Sequence, residues 1–131
     1  MAAERTVAFQ DLSLTEPVLK ALADVGYEIP TPIQARTIPL VLEGRDVLGQ
    51  AQTGTGKTAG FGIPLLQMLD DSAKQIQSLV LVPTRELAKQ VSNEIASLGK
   101  KIGTKCIPIY GGTSFSNQVD EVKGGAQIVV G

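Results

Sequence analysis

Along this 131-residue chain, apolar positions switch between helical spacing and short continuous runs. Val18, Leu19, Leu22 and Val25 recur at helical intervals, with Thr15 as candidate N-cap, Pro17 near the first turn and Gly26 as the stop. A second helix is predicted after Thr31, with Pro32 at its first position, Ile33, Ile38, Val41 and Leu42 on its apolar side, and Gly44 closing it. Asp46-Val47-Leu48-Gly49-Gln50 reads as a short buried strand, and Ala59 to Leu69 as a helix. A polar loop, Asp70 to Gln75, precedes Ser78 to Val82, a near-continuous apolar strand of the kind buried on both faces in a parallel sheet. Leu87, Val91, Ile95, Leu98 and Ile102 then mark a long amphipathic helix, with Thr84 as its cap. Thr104 to Tyr110 reads as a strand in which Pro108 signals an edge or an end. Ser114 to Lys123 is predicted as a short helix, Gly124-Gly125 breaks it, and Ala126 to Val130 is a last strand.

Strands alternating with helices, after two leading helices, predict an α/β domain built on a parallel sheet with helices on both faces. Ligands of such sheets bind beyond the carboxyl ends of the strands. Residues 51–58, Pro83-Thr84-Arg85 and Gly111-Gly112 all follow predicted strands, so they are expected on one side of the sheet. The expected organisation is a flexible start over residues 1–8 and one domain over residues 9–131.

Composition removes several chemistries. Twelve basic and thirteen acidic residues give a net charge of −1, so any contact with nucleic acid rests on a local strip and not on a basic module. The absence of histidine excludes His-based triads, and a single cysteine excludes disulfides and thiolate zinc sites. Cys106 lies in an apolar run and reads as a buried small hydrophobe. No run approaches a membrane span, and the N-terminus lacks the apolar core of a signal peptide, so a cytoplasmic protein is expected.

The candidate chemistry centres on Ala51-Gln52-Thr53-Gly54-Thr55-Gly56-Lys57-Thr58, between a predicted strand and a predicted helix. Glycines let backbone N–H groups turn inward, and the helix behind adds the positive end of its dipole, so the loop suits phosphate. Lys57 can reach terminal phosphates and the Thr58 hydroxyl can ligate Mg²⁺. The usual pattern opens with Gly where this chain has Ala51. Upstream, Gln34 reads either as an exposed helix-start residue or as a primary amide able to pair with both donor and acceptor on an adenine edge. Tyr27 can stack on the same ring.

Taken together, these residues resemble the first RecA-like domain of the DEAD-box RNA helicases. Phe9 looks like the isolated upstream aromatic of that family, and Gly26-Tyr27-Glu28-Ile29-Pro30-Thr31-Pro32-Ile33-Gln34 like its Q motif. Ala51 to Thr58 looks like motif I, which in this family also begins with Ala. Pro83-Thr84-Arg85-Glu86-Leu87-Ala88 looks like motif Ia and Gly111-Gly112 like the GG motif. The resemblance implies a RecA-like P-loop NTPase fold, truncated before the DEAD motif. It implies that Phe9, Tyr27, Gln34 and Ala51 to Thr58 form the ATP site, with Lys57 and Thr58 serving catalysis and Thr58 the Mg²⁺ ion. It implies that Thr84, Arg85, Gly111 and Gly112 touch the backbone of single-stranded RNA, with recognition largely independent of sequence.

The same resemblance implies an ATP-dependent RNA helicase that unwinds short duplexes by closing two RecA-like domains. This chain contains neither the Asp-Glu-Ala-Asp motif nor a second such domain. It is therefore expected to bind nucleotide and part of the RNA site, to hydrolyse little alone, and to expose apolar sheet surface that favours self-association. The alternatives are a non-catalytic nucleotide-binding module and another P-loop NTPase such as a DNA helicase. A GTPase is disfavoured, because no Asn-Lys-x-Asp-type guanine reader occurs.

Overall fold

A computed structural model of the protein describes residues 7–52 and 56–131. The chain divides into two compact units, Met1–Gln67 and Met68–Gly131, which are taken in turn.

The first unit is helical. A 3-10 turn, Phe9–Asp11, precedes α1 (Glu16–Val25), α2 (Pro32–Leu42) and α3 (Lys57–Met68). The predicted punctuation is present: Thr15 and Thr31 are the N-caps of α1 and α2, and Gly26 closes α1 in the left-handed conformation, with φ +102°. Thr15 does not cap through its side chain. Its N–H donates instead to Gln67 Oε1 at 2.9 Å, and Gln67 Nε2 donates to Ser13 O at 3.0 Å, so an amide on α3 fixes the entry into α1. Helices α2 and α3 approach closely at Gly60, where a Cβ would lie 3.0 Å from Thr37 Oγ1. The Thr37 hydroxyl sits 3.1 Å from Gly60 O, which a bulkier residue at position 60 would disturb. Phe9, Leu12, Leu22, Ile38, Ile63 and Leu66 are the large apolar side chains most deeply buried in this unit, joined by Val18, Ala21 and Ala59.

One expectation for this unit fails. Asp46–Gln50 was expected as a buried strand, yet it belongs to no strand and is exposed throughout. Leu48 is fully exposed. Only two large apolar residues stand in that run, and a short apolar run becomes a buried strand only where neighbouring strands flank it. Among the described residues none pairs with it.

The second unit is an α/β layer structure. It runs β1 (Ser78–Val80), α4 (Arg85–Gly99), a 3-10 turn Lys100–Ile102, β2 (Cys106–Pro108), α5 (Phe115–Lys123) and β3 (Ile128–Val130). The three strands are parallel in the order β1-β3-β2, with Leu79, Val129 and Ile107 in one cross-strand row. Backbone pairing extends past the strand ends: Val82 N–H donates to Gly131 O at 3.0 Å and Ile109 N–H to Val130 O at 2.8 Å. Central β3 is wholly buried, as its apolar run predicts.

Alternation along the strands divides the core between two helices. Cys106 faces α4, where Ser92 Oγ lies 3.8 Å from its sulfur. Ile107 and Val129 face the other way and pack with Val122 of α5. Helices therefore cover both faces of this sheet. Pro108 ends an edge strand, consistent with its missing N–H. The expectation that Ser78 to Val82 is buried on both faces is corrected: β1 is the other edge, and Leu79 and Leu81 are 62% and 78% exposed. Gln127 is buried in this unit, and its Nε2 donates to Ala73 O at 3.1 Å, holding the Asp70–Ala73 loop to the sheet. No helix among the described residues is long and apolar enough to cross a membrane.

Candidate functional site

The candidate residues fall into two groups, one per unit. In the first, the reciprocal capping box of α2 sets the geometry. Thr31 Oγ1 accepts from Gln34 N–H at 3.4 Å, and Gln34 Oε1 accepts from Thr31 N–H at 3.0 Å. This arrangement pins the Gln34 side chain instead of letting it extend into water. Its Nε2 then donates to Gly56 O at 3.1 Å. Gln34 is 2% exposed, so the reading of it as an exposed helix-start residue does not hold. One amide thus ties the start of α2 to the loop residue immediately before α3.

Gly56 has φ +80°, and a Cβ there would collide with the Gln34 amide nitrogen. Backbone conformation and space both require glycine at this position. Lys57 and Thr58 open the twelve-residue α3, with Lys57 exposed and Thr58 half-buried. Ala51 is half-buried and Gln52 exposed. Thr53, Gly54 and Thr55, also expected in the phosphate loop, lie outside the described residues. Tyr27 is half-buried and meets Phe9 edge-to-face, with ring centroids 6.2 Å apart and planes at 80°. Phe9 itself is 3% exposed, so it supports Tyr27 from behind and offers little surface of its own to a ligand.

This donor set fits a nucleotide phosphate. A helix N-terminus, an exposed ammonium group and a side-chain-free backbone at Gly56 suit an anion, and the Thr58 hydroxyl is a hard oxygen ligand suited to Mg²⁺. The described residues contain no group of three or more carboxylates or thiols able to hold a metal ion.

The second group surrounds an open groove of about 390 Å³ lined by Pro83, Thr84, Arg85, Tyr110 and Gly111, among others. Thr84 is the N-cap of α4, its Oγ1 accepting from Leu87 N–H at 3.1 Å. Arg85 is exposed in the first turn of the same helix. The Gly111-Gly112 turn follows β2 and is exposed. Gly112 has φ +85°, and a Cβ there would lie 3.0 Å from Arg85 Nη1, so the guanidinium and the turn are immediate neighbours. All four expected RNA-contact residues therefore stand together in this unit.

Two features beside the groove escaped sequence reasoning. Lys89 Nζ lies 5.4 Å from the centre of the Tyr110 ring, a cation–π contact one helical turn beyond Arg85. Gln118, on α5, engages both backbone groups of Tyr110: Oε1 accepts from its N–H at 3.2 Å and Nε2 donates to its C=O at 2.9 Å. The one available clue was a polar residue on the side of α5 that otherwise carries Val119 and Val122.

Cys106 is buried as expected. Burial pushes its thiol above the ordinary value, with a smaller opposing effect from the contact with Ser92.

Comparison with known proteins places these features. Residues 31–131 match the family model for the DEAD/DEAH box helicases. The DEAD-box ATP-dependent RNA helicase CshA of Bacillus subtilis is 49% identical over 126 residues, covering 96% of this chain and 26% of the relative. The ATP-dependent RNA helicase DeaD of Escherichia coli K12 is 52% identical over 130 residues, covering 98% of this chain and 21% of the relative. The chain thus spans about a quarter of the length of the curated relatives it matches. Among solved structures, a DEAD box protein from Methanococcus jannaschii superposes with a TM-score of 0.87 at 42% identity, over 95% of this chain and 34% of that one. The RNA-helicase Prp28 from Chaetomium thermophilum, bound to ADP, gives 0.83 at 36% identity, over 94% of this chain and 31% of its own. Motif order, the parallel α/β sheet and these matches agree, and the chain belongs to the DEAD/DEAH box helicase family.

Proposed function

We propose that this chain binds ATP with Mg²⁺ through its first unit and the backbone of single-stranded RNA through its second, as part of an ATP-dependent RNA helicase. The observation that carries the nucleotide reading is the Gln34 bond to Gly56 O. A primary amide has two N–H donors and two acceptor lone pairs. The capping box and Gly56 use one of each, which leaves one of each for the adjacent donor and acceptor on the adenine edge. The amide is nearly enclosed, so a base reaches it only by displacing its cover. A guanine edge presents the wrong pairing at the same position, and this supports ATP over GTP.

In this reading Tyr27 stacks on the base with Phe9 behind it, and Lys57 neutralises the terminal phosphates. Mg²⁺, when bound, polarises those phosphates, and Thr58 supplies it one oxygen. The chain has no Asp-Glu-Ala-Asp stretch and no described cluster of metal-binding carboxylates. Binding should therefore far exceed turnover when this chain is alone, and hydrolysis and duplex unwinding belong to a longer protein. Thr84, Arg85 and the Gly111-Gly112 turn suit phosphate and sugar and carry no base reader, which supports sequence-independent RNA binding.

Titration of the chain with ADP and GDP tests the nucleotide half. ADP should bind and GDP only weakly; Gln34→Ala should abolish the preference, and Lys57→Ala should weaken both nucleotides about tenfold or more, as removal of a charge-assisted phosphate contact does. Equal binding of ADP and GDP by the unaltered chain would overturn the adenine assignment.

A further inference from the structure

We propose that Gln118 is a positioning residue for RNA binding: it holds the Gly111-Gly112 turn in register with Arg85. The proposal rests on the RNA reading of that groove. Tyr110 follows Ile109, whose N–H donates to Val130 O of β3 at 2.8 Å. The backbone groups of Tyr110 itself are taken up by Gln118 on α5. Its amide pairs with both the N–H and the C=O of Tyr110, in the manner of an adjacent strand, and Nε2 also donates to Thr113 Oγ1. Thr113 Oγ1 in turn lies 3.4 Å from Tyr110 O. One side chain therefore grips the residue before the glycine pair and the residue after it.

The glycine pair needs such a grip. Gly112 holds φ +85°, and glycine has more conformations to lose than any other residue. Between two fixed ends the turn keeps the conformation that brings Gly112 against Arg85. Released from Gln118, the pair would sample many conformations, and a phosphate that must meet the guanidinium and the turn together would find them together less often. Gln118 is half-buried beneath the turn and does not line the groove, so it acts through the turn and not by touching RNA.

The test uses Gln118→Met, which keeps length and volume but removes both hydrogen-bonding functions, and Gln118→Glu, which keeps the acceptor for Tyr110 N–H but sets a carboxylate against Tyr110 O. Each is made alone and with Arg85→Ala, and affinity for a fluorescent oligo(U) strand is measured beside affinity for ADP. Gln118→Met should weaken RNA binding about tenfold, leave ADP affinity within about twofold, and speed amide exchange at Gly111, Gly112 and Thr113 but not in β3. Gln118→Glu should fall with Gln118→Met and not with the unaltered protein. Coupling is expected: in the Arg85→Ala background, Gln118→Met should cost little more. If Arg85→Ala itself leaves RNA binding unchanged, the RNA reading of the groove is wrong. If Arg85→Ala weakens RNA but Gln118→Met does not, or if the two effects simply add, the positioning role is wrong while the groove stands. Parallel loss of ADP and RNA affinity in Gln118→Met would mark a general fold defect and likewise overturn the proposal.

Discussion

Gly56 shows how much one residue can be asked to satisfy. It holds a positive φ, its carbonyl receives the Gln34 amide, and the space a Cβ would need is filled by that amide. Gly56→Ala should therefore cost both backbone strain and the Gln34 contact. Nucleotide affinity should fall at least about tenfold, roughly the loss of one good hydrogen bond plus the strain. Gly103→Ala is the control: it also has positive φ, at +78°, but nothing lies within 4 Å of the added methyl. That variant should lose about 1 kcal/mol of stability and keep its ADP affinity. Equal affinity losses in the two variants would show that the Gln34 contact is irrelevant. Cys106 gives a second residue-scale expectation. Burial raises its thiol pKa in the folded state, so the folded protein holds the proton more tightly than the unfolded chain. Its contribution is fully present below the ordinary thiol value and is lost as pH rises from there through the raised value. Cys106→Ala should accordingly flatten the alkaline decline of the unfolding free energy, measured by urea titration from neutral to alkaline pH, even if the variant is less stable throughout.

Among the elements, the helices were the most legible in the sequence, because their ends are chemical events within a few residues. Thr31 with Gln34, Thr84 and Ser114 all cap as side chains, and Gly26 stops α1 with positive φ. Strand burial was less legible. Ser78 to Val82 carries four apolar residues and Asp46 to Gln50 two, yet neither run is buried, because burial depends on neighbours that no local pattern encodes. The site followed the same division. The glycine turn, Thr84 and Arg85 could be named from the sequence, whereas Gln118 could not, because its partner is a backbone bent back to it by the fold. Thr84 permits an element-scale separation of fold from function. Its hydroxyl oxygen is engaged by Leu87 N–H, which leaves the O–H free to donate to a phosphate. Thr84→Asp preserves the cap and adds favourable charge at the helix N-terminus, so the melting temperature should hold while RNA affinity drops about tenfold by repulsion. Thr84→Ala should do the reverse in part, costing about 1 kcal/mol of stability. An RNA affinity untouched by Asp at this position would remove Thr84 from the contact set.

Over the whole molecule, the net charge of −1 offers little long-range repulsion between copies, and the sheet leaves apolar side chains open at its β1 edge. Along the row Ile107, Val129, Leu79, exposure is 4%, 6% and 62%, because the nine-residue α5 shields β2 and β3 but not β1. Leu81, the residue just past the strand, is 78% exposed, and β1 has a neighbour on one side only. A sheet edge with two leucines facing water has what edge-to-edge association requires: unpaired backbone groups and apolar area that gains by burial. Natural edges avoid this with lysine, which suggests the substitution to make. The unaltered chain should self-associate as its concentration rises toward about 100 μM, and Leu79→Lys/Leu81→Lys should remain monomeric at the same concentration. Neither leucine is part of the buried core, so the double variant should keep the circular dichroism spectrum and melting temperature of the parent, within the small range usual for surface changes. Sedimentation velocity over a concentration series reads both outcomes. A parent that stays monomeric throughout would show that the open face of β1 is protected by its twist and shortness; a double variant that associates as strongly would move the contact elsewhere, with the exposed Leu48 and Ile29 as the next positions to charge.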